Sequence, residues 1–380
     1  MIPLSEPVLQ GRELEYVTDC LRSGWVSSNG EYITRFEQAL AGYVGVKHAV
    51  ACNCGTSALH VSLILCGVQA DDEVIVPAVT FIAPVNAVNY VGAFPVFVDC
   101  DEYCGIDVEG LRRFLAEECI VVDGTTVNGK TGRRVAAIIP VHVFGTAADM
   151  DPILDLACEN GLAVIEDASE ALGSRYKGRM CGALASTACL SFNGNKIVTS
   201  GGGGAILTDD DALAEGARSL TTQAKEAGIE YLHHRVGYNY RMNNVLAALG
   251  LAQMETIDER LATKRENFGL YEQALVADGA SRLLGQPAWS DANRWFYAYM
   301  CADAEAKEEL LLACIAADIQ ARPLWYPNHL QRPYADMQAY SVERAPWLYD
   351  RLVNLPCSVT LTQDQITQVA AVIEATLTRD

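Results

Sequence analysis

The sequence predicts an α/β protein: a mostly parallel sheet flanked by helices on both faces, followed by a small C-terminal α+β domain. Three observations predict it. Short apolar, β-rich runs alternate with longer amphipathic segments; the runs are apolar at nearly every position instead of every second one; and the order of elements changes after residue 255. A run without a polar side suits a strand buried on both faces. Strand, helix, strand in alternation is the order of a parallel sheet, whose neighbouring strands need a crossover.

Strands are expected at VIVP (74–77), PVFVD (95–99), VAAIIPVHVFG (135–145) and LAVIED (162–167), with helical patterns over 56–65, 83–90, 108–118 and 150–160. Asp149 stands where an N-cap is wanted and Gly161 where a C′ glycine closes a helix. From Asn243 to about Ala277 there is no proline, and Leu246, Leu249, Leu251, Met254, Ile257 and Leu261 supply apolar contacts. One long helix is therefore expected to leave the larger domain. Residues 1–255 are read as that domain and 256–380 as the smaller one. In the smaller domain WFYAYM (295–300) reads as a strand, EAKEELLLACIAAD (305–318) as a helix and IQARPLW (319–325) as a second strand.

Composition narrows the function classes. At 380 residues, half of them hydrophobic and 20% charged, the chain is long enough and apolar enough for two compact domains. Lysine plus arginine number 28 against 48 aspartate plus glutamate, a net charge of −20 without any basic stripe, which excludes nucleic acid as a partner. The N-terminus shows no basic segment leading into an apolar one, and no stretch approaches a membrane span, so a soluble, cytoplasmic protein is expected. The thirteen cysteines are odd in number and scattered, and read as reduced core thiols. Neither Cys52 with Cys54 nor Cys100 with Cys104 is answered by a second pair at metal-ligand spacing, so no metal is expected.

The chemistry concentrates in four places. In LSFNGNKIVTSGGGGAILT, Lys196 lies in a short polar turn between two apolar runs, close to four glycines at 201–204. VIEDASEALGS ends a buried strand with Glu166 and Asp167, at the carboxyl edge where open α/β sheets hold their ligands. A carboxylate buried there needs a cation or a donor. CNCGTSALHVS puts Gly55, Thr56 and Ser57 at the mouth of a helix, a seat for phosphate. TFIAP at 80–84 offers Phe81 at another strand end. Together these are the parts that hold pyridoxal 5′-phosphate: an amine for its aldehyde, a carboxylate for its pyridine nitrogen, a helix mouth for its phosphate and an aromatic plate for its ring.

The order GTSAL, TF, VIEDA, SFNGNK with its glycine run, then GYNYRMNN, resembles the DegT/DnrJ/EryC1/StrS family of pyridoxal-phosphate sugar aminotransferases, from IPLSEP at the start to ARPLW near the end. The resemblance implies the fold-type-I, aspartate-aminotransferase-like architecture and a homodimer with shared active sites. It also implies ping-pong transfer from an amino donor, glutamate, through pyridoxamine 5′-phosphate. The stretches SGWVSSNG, FNGNKIVTSGGGG and LTTQAK resemble the subgroup that acts on UDP-linked 4-keto-6-deoxy-N-acetylhexosamines for bacterial surface glycans.

By this resemblance Lys196 is the anchoring, proton-moving lysine, and Asp167 is the partner of the ring nitrogen. Gly55, Thr56, Ser57 and Ser191 bind phosphate, Phe81 stacks on the ring, and Asn239 crosses to the neighbouring subunit's phosphate. Glu170 stands where many members carry glutamine or histidine near the ring hydroxyl, and Ala185–Ser186 replace a common Gly-Asp pair. His142 reads either as a packed histidine or as a pocket residue. Trp25, Ser28, Trp325, Asn328 and His329 are candidates to surround the sugar nucleotide; Arg322 either meets a diphosphate or bridges domains. A sugar dehydratase of this family carries histidine in place of the lysine, and a cysteine desulfurase needs a nucleophilic cysteine on a loop. A non-catalytic binding module would keep the fold without turnover.

Overall fold

The computed structural model describes residues 1–226, 228–275 and 281–377. Its main feature is an eight-stranded sheet. Seven strands come from the first 208 residues: β1 (His48–Cys52), β2 (Glu73–Pro77), β3 (Phe94–Val98), β4 (Val135–Ile138), β5 (Ala163–Asp167), β6 (Thr187–Ser191) and β7 (Gly204–Thr208). The C-terminal part adds β8 (Arg282–Leu283), β9 (Tyr297–Met300), β10 (Arg322–Pro323), β11 (Ala339–Tyr340) and β12 (Leu352–Leu355). The large sheet runs β1-β7-β6-β5-β4-β2-β3-β11, with β7 alone antiparallel to its neighbours. The four-stranded antiparallel sheet β8-β9-β12-β10 forms the smaller unit.

The continuous apolar runs are buried on both faces for a geometric reason. Successive side chains in a strand point to opposite sides. Val74, Val76, Phe97, Ile165 and Cys189 therefore enter one core, while Ile75, Val96, Val98, Val164 and Leu190 enter the other. Helices Gly55–Leu65 and Ala83–Tyr90 begin where the apolar pattern starts. Gly161, with φ 65°, closes the helix Met150–Glu159. Asp149 occupies the N-cap position of that helix, but its carboxylate accepts from the Tyr176 hydroxyl at 2.5 Å instead of capping.

Three expectations change. The run 135–145 is not one strand: β4 stops at Ile138, Pro140 offers no N–H to a ladder, and Val143–Gly145 make a short 3-10 turn. The segment read as one long helix is two, Asn244–Met254 and Ile257–Ala274, and Ala277 lies outside the described residues. Leu251, Met254, Ile257 and Leu261 pack in one core while Phe268 and Tyr271 pack in the other, so the break at Glu255–Thr256 lies within the first core and the second helix runs from it into the other. The strand expected at 319–325 is reduced to β10. All thirteen cysteines are free thiols, and no described helix is long and apolar enough to cross a membrane.

Candidate active site

A cavity of about 340 Å³ opens at the carboxyl ends of β5 and β6, against the first turn of helix Gly55–Leu65. Asp167 reaches it from the end of β5, and the alternation along that strand separates it from Glu166. Glu166 turns away and is fully satisfied: it accepts from the backbone N–H groups of Gly182, Leu184 and Ala185 and meets His142 Nε2 at 2.9 Å. Asp167 accepts the Ser169 N–H at 3.0 Å and has no ion pair among the described residues. Burial pushes its carboxyl pKa up, with the Ser169 donors and Lys196 pulling the other way.

The helix mouth is built by close backbone approach. The Cys54 thiol is the N-cap, its sulfur accepting from Ser57 N–H at 3.3 Å and lying 3.1 Å from the Ser57 hydroxyl. Ser57 is thereby held off the cavity lining, whereas Gly55 and Thr56 line it, their N–H groups in no described hydrogen bond. A Cβ at Gly55 would come within 2.9 Å of Ser191 Cβ, and one at Gly204 within 2.5 Å of the Cys54 carbonyl. The two glycines let β6 and β7 press against the helix mouth and bring Ser191 to the cavity wall.

Lys196 and Glu170 face each other across the floor. The Lys196 ammonium lies 3.6 Å from Glu170 Oε1 and 3.7 Å from the Trp295 ring centroid. Burial lowers the lysine pKa, opposed by Glu170 and Asp167. Glu170 Oε2 accepts from Phe144 N–H at 2.8 Å. Phe144 holds a left-handed backbone (φ 58°), a conformation a bulky residue adopts only when its surroundings impose it. Burial pushes Glu170 up to about 7 against the pull of Lys196 and that N–H.

A carboxyl raised in the fold above its unfolded value contributes stability that is present at low pH and lost as pH rises through about 7. In the cofactor-free protein, Glu170→Gln is therefore expected to gain on the parent between pH 5 and pH 8, by up to about 3 kcal/mol. Urea titrations of both proteins at the two pH values check the sign.

Phe81, half exposed at 54%, and Trp325 line the mouth of the cavity, with ring centroids 6.5 Å apart. The remaining candidates lie elsewhere. His142 is fully buried and lines no part of the cavity; Ala148 N–H donates to its Nδ1 at 3.1 Å, which leaves the ring neutral with its proton on Nε2 toward Glu166. The charge of Glu166 and the nearby Cys181 thiol favour a second proton against the cost of burial, but that proton would confront the Ala148 N–H. Among the described residues Arg322 makes neither an ion pair nor a contact with the cavity, donating to the Ala321 carbonyl. Asn328 is a buried strut, its backbone N–H donating to Ala78 O and its side chain to Thr80 O. His329 packs near Phe97, and Trp25 and Ser28 are exposed away from the cavity. Asn239 is exposed in a loop whose carbonyl accepts from Asn53 Nδ2 at 3.4 Å.

The model of the DegT/DnrJ/EryC1/StrS aminotransferase family matches residues 7–374. The chain belongs to that family. It is a pyridoxal-phosphate-dependent sugar aminotransferase of fold type I. It is 39% identical over 381 residues to a GDP-perosamine synthase of Caulobacter vibrioides, covering 99% of this chain and 98% of that one. It is 36% identical to the Bacillus subtilis protein EpsN, named a putative pyridoxal phosphate-dependent aminotransferase, over 98% and 95% of the two chains. Among solved structures, a DegT DnrJ EryC1 StrS aminotransferase from Brucella abortus superposes with a TM-score of 0.88 at 28% identity, covering 97% and 96% of the chains.

The residues of this aminotransferase fit the cofactor. Among the described residues Asp167 is a buried carboxylate without an ion pair, and two helix-mouth N–H groups beside Ser191 are in no hydrogen bond, which is what a pyridinium and a phosphate require. Two functional side chains escape sequence reading. Trp295 sits inside a run that reads only as a strand. Cys54 is an unusual cap residue whose one local signal is its place before Gly55.

Proposed function

We propose that this aminotransferase moves an amino group from L-glutamate to the C4 ketone of a nucleotide-linked 4-keto-6-deoxy sugar, in the making of a bacterial surface glycan. The observation that carries the reading is that Lys196, Asp167 and the mouth of helix Gly55–Leu65 share one cavity. Bound pyridoxal phosphate supplies an aldehyde that links reversibly to amines and a ring that draws off negative charge. Lys196 Nζ would anchor it and carry the proton that leaves the donor's α-carbon in one half of the exchange and the proton that reaches the sugar's C4 in the other. Asp167 holds the ring nitrogen protonated. Gly55, Thr56 and Ser191 hold the phosphate, with Ser57 acting behind them through the Cys54 cap, and Phe81 covers the ring. Glu170, raised to about 7, carries no charge in its protonated form and in that form does not repel a ring hydroxylate.

The nucleotide has two readings. The relatives named GDP-perosamine synthase, 39%, 35% and 36% identical to this chain, support a GDP-linked sugar. The stretches SGWVSSNG and FNGNKIVTSGGGG support a UDP-linked, N-acetylated one. A panel of GDP-, UDP- and dTDP-linked 4-keto-6-deoxy sugars, offered with glutamate and read by 2-oxoglutarate release, separates them. The GDP compound is expected to give the highest kcat/KM, and no release with any of the panel would remove the reading. The working form in this reading is a homodimer, with Asn239 reaching the partner's phosphate. Exposed Ile229, Tyr231 and Val236 in the segment before Asn239 support a covered surface there. Sedimentation at twice the chain mass is expected, and a monomer that turns over at full rate would remove this part.

A further inference from the structure

We infer that Trp295 is a positioning residue whose indole face seats the Lys196 amine whenever that amine is not bonded to cofactor. The inference rests on Lys196 being the anchoring lysine. The ammonium stands 3.7 Å from the centroid of the Trp295 ring, in direct cation–π contact. The residue is held by its ring edge, its backbone and two neighbouring aromatic rings. Its Nε1–H donates to the carbonyl of Asn195, next in chain to the lysine, at 2.7 Å. Its backbone N–H donates to Asn293 Oδ1 at 2.8 Å, and its carbonyl accepts from the buried Lys264 Nζ at 2.7 Å. Asn293 is itself tied to the carbonyls of Glu170 and Leu172. Phe296 stacks on the indole at 4.0 Å and 8°, and Trp325 lies 6.4 Å away at 20°.

A ring held so firmly under a mobile side chain sets where that side chain rests. The charged groups facing the amine are Glu170, at 3.6 Å, and Asp167. Both change their charge or their partner during use: Glu170 titrates near neutrality, and Asp167 is engaged by the cofactor ring in the reading above. The indole face does not titrate. It keeps attracting the ammonium when Glu170 is neutral, and it offsets part of the burial that otherwise strips the amine of its proton. Its indole N–H, through Asn195, fixes the backbone from which the lysine swings.

The test reads the lysine itself. In the cofactor-free full-length protein, trace acetylation by acetic anhydride over a pH series, followed by mass spectrometry of the Lys196 peptide, gives the amine's apparent pKa. Trp295→Phe is expected to speed labelling of Lys196 about three- to tenfold at fixed pH below the plateau, a fall of about half to one pKa unit, with the plateau rate unchanged. Biosynthetic fluorotryptophans keep the shape and the N–H and weaken only the ring face. They are expected to lower the Lys196 pKa stepwise with fluorine number, and to have no such effect in the Trp295→Phe background. A Lys196 pKa constant across the fluorine series overturns the inference. Borohydride trapping of pyridoxal phosphate on the parent protein separates the two ideas. Trapping at Lys196 with an unmoved pKa sinks the role of Trp295 alone, and no trapping at Lys196 sinks the reading on which it rests.

Discussion

Lys196→Ala protein is expected to fold, to keep the cavity, and to lose turnover by at least about four orders of magnitude, because the same nitrogen both anchors the cofactor and moves the proton in each half of the exchange. Folding survives because burial already disfavours the charged amine, so its loss removes a cost, and the side chain borders an existing cavity. The measurement is 2-oxoglutarate formation from glutamate, alongside borohydride trapping and peptide mapping. Turnover at the parent rate would show that another group does this work, and a cofactor adduct at a different lysine would identify it.

Asp167→Asn has the second-largest expected effect, and its two signs differ with occupancy. In the empty protein the fold raises this carboxyl's pKa above its unfolded value, so its contribution to stability is present at low pH and lost as pH rises. Asparagine keeps the acceptor for Ser169 N–H, at 3.0 Å in the parent, and removes the buried charge, so the empty variant is expected to be at least as stable as the parent at pH 8. With cofactor the result reverses. Leaving a buried cation without its partner costs about 3 to 5 kcal/mol, which corresponds to a loss of about two to four orders of magnitude in cofactor retention or in rate. Equilibrium dialysis against pyridoxal phosphate, with thermal midpoints of both empty proteins, tests both signs. Equal retention by the two proteins would remove Asp167 from the ring nitrogen.

Much of this was legible in the chain because the relevant signals are local. Asp167 closes an apolar run, Gly55 and Thr56 open a helix, and Lys196 precedes a glycine run; each position follows from a few neighbouring residues. What was not legible depends on distant segments. Trp295 arrives at Lys196 only because the C-terminal part folds back, and Asn293 is tied to the carbonyls of Glu170 and Leu172 far away in sequence. The contact of Ser57 with the Cys54 thiol has no sign in the sequence beyond their spacing. The break at Glu255–Thr256 has no proline or glycine to announce it. His142 was ambiguous for the same reason: its partners Glu166 and Ala148 approach from both sides of the strand-end turn.

The short strand β11 leaves the C-terminal part to join the free edge of the large sheet beside β3, while Asn328 fastens onto Ala78 and Thr80 next to Phe81. The two halves of the molecule are thus stitched together on the flank of the cavity. A clamshell swing of one half over the other would tear a backbone ladder and unfasten that rivet. That flank of the cavity is accordingly a doubly fastened wall, with Phe81 and Trp325 standing beside it at the opening.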